Sequence, residues 1–175
     1  AMSQANFNLV LHPESWLAAQ DMEKRLGIPS ITLTRLYQVS QIHRQYMALS
    51  RVLSTPIQDE SWLEQARQAV EAVRARYSGT TVAIGGMQNG NAYEMALALT
   101  RYGFTIKEIY ASLSPDDFVY LRHLAQWSPE TKVYSNLSPT MLYYEGASHP
   151  VDLTIGKDAA WYHETAAHVN WDDDC

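Results

Sequence analysis

The segment Gly85-Gly-Met-Gln-Asn-Gly90 has the residue types and spacing that come nearest to a binding loop. It follows a β-rich run, Thr80–Ile84, and precedes a helical stretch, Ala92–Tyr102. A glycine-rich turn between strand and helix leaves N–H groups at the helix start pointing outward, where an anion or a cofactor can meet them. Gly85 and Gly90 have the spacing of a P-loop. Asn91 and Ala92 stand where that loop carries its Lys and its Ser or Thr, so the phosphate-binding amine and the magnesium-binding hydroxyl are both missing. The fingerprint G-x-G-x-x-G is not met either. Two readings stay open, a plain tight turn and a ligand loop. Position supports the second, because open α/β sheets bind ligands at the carboxyl ends of their strands.

Other candidates carry less. His163-Glu164-Thr-Ala-Ala-His168 resembles a zinc-protease motif, but its histidines are five apart instead of four. That places the second roughly 140° around a helix from the first. Asp172-Asp-Asp-Cys175, with His168, reads as a solvated chain end. His12, His43, His123 and His149 are scattered and read as surface or hydrogen-bonded structural residues. No G-x-S-x-G surrounds Ser112, Ser114 or Ser138, and the last two read as helix caps. Nothing supports a serine-hydrolase triad. The aromatic residues fall mostly on helix stripes and strands, which is the pattern of core packing or a subunit interface.

The elements that must position the loop follow from hydrophobic periodicity. Phe7–Leu11 is an apolar run with strand character. Pro13 and Glu14 open a helix carrying Trp16, Ala19, Met22 and Leu26, which Gly27 caps and Pro29 stops. Ser30–Thr34 is the next strand. Strand, helix and strand with short connections predict a parallel βαβ unit. Two helices follow in succession. One has the stripe Val39, Ile42, Tyr46, Leu49, Leu53. The other has Trp62, Ala66, Ala69, Val73, Tyr77, with Ser61 and Glu64 spaced as a capping box. The break at 54–58 predicts a boundary, with 1–57 ending one α/β unit and 58–175 forming another. Strands are then expected at Thr80–Ile84, within Phe104–Ala111, at Thr131–Ser135 and at Val151–Ile155. Helices are expected after Ser114-Pro115-Asp116-Asp117 and after Ser138-Pro139.

Composition narrows the function classes. The 175 residues carry 13 Lys plus Arg against 19 Asp plus Glu, a formal charge of −6, which argues against a nucleic-acid partner. No apolar run approaches the roughly 20 residues of a membrane helix, so no membrane partner is expected. Phe7–Leu11 is too short for a signal-peptide core and lacks a basic start. The single cysteine, Cys175, excludes an internal disulfide and a multi-cysteine metal site within this chain. A cytoplasmic setting is the expectation. Both ends read as cut from a longer protein.

Several segments together resemble the nitrogenase component 1-type oxidoreductases. This family includes molybdenum–iron protein subunits, their cofactor-assembly scaffold paralogues, and dark-operative protochlorophyllide reductase subunits. The segments are NLVLHPESWLAAQDMEKRLGIPSITLT, VAIGGMQNGNAYEMALALTRYGF, KVYSNLSPTMLYYEGASHPVDLTIGKDA and HVNWDD. The resemblance spans essentially the whole chain. It implies an α/β fold of three-layer Rossmann-like units with mostly parallel sheets, here the end of a middle unit and most of a third. It also implies that the family's cluster-ligating cysteines lie mainly in a part of the subunit that precedes these segments.

The same resemblance implies a set of cofactor-binding positions. Gly85-Gly86-Met87-Gln88 matches the Gly-Gly-Leu-Arg of the catalytic subunit, where glycines admit the iron–sulfur cofactor and arginine faces it. Gln88 removes that positive charge. Ser112 falls where the catalytic subunit has phenylalanine beside the cofactor. Gly156-Lys157 falls near a Gly-Ile-Lys segment that approaches the cofactor's organic acid. His168, in His168-Val-Asn-Trp171-Asp172, is one position early relative to the cofactor histidine of His-Ser-Trp-Asp, and a one-residue offset re-aims a side chain. These departures point to a nitrogenase-like paralogue of unassigned substrate. The implied partners are a paralogous or identical subunit and an ATP-dependent iron–sulfur reductase. The implied cofactor is an iron–sulfur cluster or related metallocluster in the intact complex, with none carried by this segment alone, which should be inactive. Two alternatives remain, a metallocluster-assembly scaffold without turnover and a generic α/β module binding a small anion at Gly85–Gly90.

Overall fold

The computed structural model describes residues 4–86, 90–147, 149–163 and 167–170. Two compact units divide between Arg35 and Leu36. The first is the expected βαβ unit. Strand β1 (Asn8–Val10) pairs in parallel with β2 (Ser30–Thr32), and helix α1 (Trp16–Leu26) connects them. Gly27 ends α1 at φ 69°, the left-handed conformation that glycine adopts without a Cβ penalty.

The second unit opens with α2 (Val39–Leu53) and α3 (Glu60–Tyr77). Sequence placed the boundary at 54–58, whereas the compact units divide ahead of α2. The reason is local. The buried carboxylate of Glu94 accepts from the backbone N–H of Tyr37 at 2.7 Å and of Gln38 at 3.2 Å, and from Gln38 Nε2 at 2.9 Å. Val39 N–H donates to Tyr102 Oη at 2.9 Å. These bonds tie the start of α2 to the helix that carries Glu94. The Ser61–Glu64 capping box does not form. Helix α3 starts two residues earlier than a Ser61 cap would give, with Asp59 at its N-cap and without a side-chain cap. Asp59 instead meets His43 Nδ1 at 2.8 Å.

The remaining elements are β3 (Thr81–Gly85), α4 (Ala92–Arg101), β4 (Thr105–Tyr110), α5 (Phe118–Trp127), β5 (Lys132–Tyr134), β6 (Leu153–Ile155), α6 (Lys157–Tyr162) and β7 (His168–Val169). The strand order is β5-β4-β3-β6-β7, parallel throughout. Ser114 caps the turn before α5 in a reciprocal box with Asp117, as its sequence predicts. Ser138-Pro139 starts only a 3-10 turn, Pro139–Tyr143, and Ser138 makes no side-chain cap. Both α6 and β7 are additions to the sequence expectation.

Residues alternate between the two faces of the sheet. On one face Val82, Ile84, Ile106, Ile109 and Ile155 pack with Met95, Ala96 and Leu97 of α4 and Leu124 of α5. Full burial of each large aliphatic side chain contributes about 1.5–3 kcal/mol. On the other face Ala83 and Tyr110 pack with Val151 and Ala159. Strand β3 is central and buried on both faces, the usual state of a parallel strand. No described helix is long and apolar enough to cross a membrane.

Candidate functional site

The chain runs from β3 to β4 on one side, and β6 lies on the other side of β3. This reversal opens a crevice at the carboxyl ends of the strands. A cavity of about 410 Å³ lies there, lined by Gly86, Asn91, Tyr93, Ser112, Asp117 and Asn136 among others.

Each wall is fixed by a nearby element. Asn91 caps α4, its Oδ1 accepting from the N–H of Tyr93 at 2.9 Å and Glu94 at 3.0 Å. Its Nδ2 donates to Asp117 Oδ1 at 2.5 Å. Asp117 Oδ2 accepts from the Ser114 backbone N–H and hydroxyl, both at 2.7 Å. Tyr93 Oη donates to the Ala111 carbonyl at 3.1 Å. Burial, reinforced by the charge of Asp117, pushes the Tyr93 hydroxyl up to about 12, so it stays a donor at neutral pH. Asn136 Nδ2 donates to the Tyr110 carbonyl at 3.0 Å and to Asp158 Oδ2 at 2.8 Å. Its Oδ1 is buried without a hydrogen-bond partner among the described residues.

Gly85 and Gly86 owe their identity to close approaches within the chain. A Cβ on Gly85 would fall 1.6 Å from Asp158 Oδ1, and one on Gly86 would fall 3.1 Å from the Tyr110 carbonyl oxygen. Gly86 N–H donates to Asp158 Oδ2 at 2.8 Å. That backbone donor is therefore engaged and does not point to a ligand.

Of the positions singled out in sequence, Gly86 and Ser112 line the cavity, whereas Gly85 is buried against Asp158 and does not. Ser112 is exposed at the cavity wall. Lys157 is exposed at the start of α6, next to Asp158, and does not line the cavity. His168 lies on the edge strand β7, where its Nδ1 is 3.1 Å from Thr154 Oγ1, and it does not line the cavity either. Met87 and Gln88 lie outside the described residues, as do Glu164 and the 172–175 tail. Asn91, Asp117, Asn136 and Asp158 were not singled out as site residues. The helix-cap pattern at Asn91 and the turn at Ser114–Asp117 offered a signal for two of them. Asn136 and Asp158 meet only through tertiary structure, and their local sequence gives no cue.

A second polar cluster sits on the Tyr110 face. Glu108, 1% exposed, accepts from Tyr110 Oη at 2.6 Å. His163 Nε2 lies 2.6 Å from the same carboxylate, and His149 Nε2 lies 3.5 Å from its other oxygen. The Tyr134 and Tyr162 rings stack on Tyr110 at centroid distances of 5.1 and 4.5 Å. Burial, then the hydrogen bond to Glu108, raises the Tyr110 hydroxyl well above its ordinary value. Thus His163, half of the failed zinc motif, is a structural partner of Glu108. Among the described residues no group of three His, Cys, Asp or Glu side chains is placed to hold a metal.

The family profile described as Nitrogenase component 1 type Oxidoreductase matches residues 1–170. A solved structure of nitrogenase Cp1 at pH 6.5 superposes with a TM-score of 0.69 at 20% identity, over 94% of this chain and 38% of that chain. The present chain therefore spans well under half the length of that relative. A putative aspartate carbamoyltransferase from Trypanosoma cruzi aligns over 94% of this chain and 68% of its own, at 11% identity and a TM-score of 0.35. That likeness is too weak to bear on fold or function. A search of curated proteins finds no match.

Proposed function

The chain belongs to the nitrogenase component 1-type oxidoreductase family, and from that premise we propose that its carboxyl-end cavity is one wall of the substrate pocket in an ATP-dependent low-potential reductase complex. The complex would pair the chain with a paralogous or identical subunit. A separate ATP-dependent iron–sulfur reductase would deliver electrons, in the cytoplasm. The observation that carries this reading is the 410 Å³ cavity lined by Gly86 and Ser112, at the strand ends where open α/β sheets bind ligands.

The residues lining the cavity do not fit ligation of an iron–sulfur cluster. Such clusters are held mainly by Cys thiolates. The lining side chains offer amides, hydroxyls and a carboxylate whose two oxygens already accept hydrogen bonds. Any metallocluster of the intact complex would take its ligands from elsewhere. The roles of this chain are to shape the pocket, exclude water and orient a bound molecule. Ser112, exposed at the cavity wall, offers its hydroxyl for that orientation. The lining suits a neutral or cationic molecule with N–H or O–H donors, because among the described residues Asp117 is its charged member and no Lys, Arg or His lines it.

The same features weigh against a small-anion module at Gly85–Gly90, since Gly86 N–H is already donated to Asp158. A cluster-assembly scaffold would use the same wall, and turnover separates it from a reductase. The test is Ser112→Trp in the full chain, prepared anaerobically with its partner subunit. The indole fills the cavity from an exposed position. Iron and sulfide content should be unchanged, and reductase-dependent, ATP-coupled electron consumption should fall at least tenfold. Unchanged consumption with the cavity filled would overturn the assignment.

A further inference from the structure

A separate cavity, of about 270 Å³, lies between the start of α2, one face of α3 and the end of α4. Its lining includes Arg67, Arg74 and Arg101, with Glu71 as the acidic member. Three of the chain's 13 Lys and Arg thus face one small space in a molecule of net charge −6. Like charges gathered in this way repel one another unless a counter-charge joins them.

Arg101 is held in place. Its Nη1 donates to Gln38 Oε1, and its guanidinium lies 5.7 Å from the centroid of the Trp127 ring. Gln38 is 4% exposed and is fixed in turn by Nε2 donating to the buried Glu94 carboxylate at 2.9 Å. This buried relay orients one guanidinium rigidly at the cavity. Arg101 Nε is buried and has no hydrogen-bond partner among the described residues. Arg74 is only loosely neutralised, with its Nη1 3.6 Å from Glu71 Oε1 on the exposed face of α3.

The start of α2 is not what makes the site. Gln38 N–H donates to Glu94 and Val39 N–H to Tyr102 Oη, so those helix-start donors are spent. The attraction comes from the guanidiniums, whose planar forks match the oxygens of a phosphate in paired hydrogen bonds.

We propose that this cavity is an oxyanion site for a phosphate group, free or as a phosphate ester, gripped by Arg67 and Arg74 of α3 and by the prepositioned Arg101. A bound phosphate would also fasten α3, which has no buried residue, onto the end of α4.

The test is calorimetric titration of the full chain with inorganic phosphate, at an ionic strength held constant with potassium chloride. Saturable one-to-one binding is expected. Arg67→Gln with Arg74→Gln should weaken it at least tenfold. Both residues are exposed, so the variant should keep the wild-type circular dichroism. Bound phosphate should also slow proteolytic cleavage within α3. A parallel titration with ADP separates the two sources. Tighter binding of ADP, lost in the same variant, assigns the site to a phosphate ester, and equal or weaker binding assigns it to the free ion. Absence of saturable phosphate and ADP binding, or equal affinity in the double variant, overturns the proposal. None of these outcomes depends on iron content or turnover.

Discussion

Asp158 fills the space that any side chain at position 85 would need: a Cβ on Gly85 would lie 1.6 Å from Asp158 Oδ1. The carboxylate also accepts the Gly86 N–H at 2.8 Å and Asn136 Nδ2 at 2.8 Å, so one residue of α6 joins the ends of β3 and β5. Gly85→Ala should therefore destabilise the chain by about 1–3 kcal/mol, the usual cost of overpacking a closed site. Combined with Asp158→Ala, which empties the space, it should cost measurably less than the sum of the two single changes. Urea unfolding of the four proteins of this cycle measures the coupling. Strict additivity would show that the contact carries no energy.

Glu108 is the anchor of the cluster on the Tyr110 face. Replacing it with Ala removes the 2.6 Å bonds of both Tyr110 Oη and His163 Nε2 and leaves them only the longer contacts, 3.2 Å to each other and 3.3 Å from Tyr110 to Tyr144 Oη, in a buried site. The expected loss is about 3 kcal/mol. His149→Ala, at the half-exposed edge 3.5 Å from the carboxylate, should cost much less. Comparable losses in the two variants would contradict the ranking.

Asp152 sets an acid-side dependence. It accepts from Thr81 N–H at 2.8 Å and from Thr81 Oγ1 at 2.7 Å, bonds that hold its carboxyl below its ordinary value of 3.8. A depressed folded-state value contributes stability above pH 3.8 that disappears as pH falls through the folded value. The gap in unfolding midpoint between wild type and Asp152→Asn should thus be largest near neutral pH and shrink below pH 3.8. A gap independent of pH would contradict this.

Tyr93 sets the alkaline counterpart. Its hydroxyl is pushed up to about 12 by burial and then by Asp117, against an ordinary value of 10.0. Its stabilising contribution is complete below pH 10 and is lost as pH rises towards 12. Ultraviolet difference titration should show one fewer late-ionising tyrosine in Tyr93→Phe than in the wild type, Tyr134 being raised to about 12 as well. The variant should also lose about 1 kcal/mol with the bond to the Ala111 carbonyl.

The fold was legible in sequence where a local pattern matched the tertiary environment. The βαβ unit followed from Gly27 and two short β-rich runs. The central strand followed from Thr-Val-Ala-Ile, and the turn before α5 from Ser-Pro-Asp-Asp. Helix α6 escaped because its six residues begin after Gly156 at φ 90°, without a side-chain cap. Strand β7 escaped because two residues carry no period. The Ser61–Glu64 pattern misled because the helix starts at Glu60 and Asp59 is held by His43. Among the positions picked from loop and resemblance, Gly86 and Ser112 line the cavity. Asn136 and Asp158 were not legible, because what places them is a contact between distant segments.

The most direct test of the family-based account is the metal content and spectrum of the full chain prepared anaerobically with the proposed partner subunit. Iron and acid-labile sulfide should be present in whole-number ratio to protein. The electron paramagnetic resonance signal should change only when ATP and the iron–sulfur reductase are both added. A well-folded complex that contains neither iron nor sulfide after reconstitution would contradict the proposed reductase.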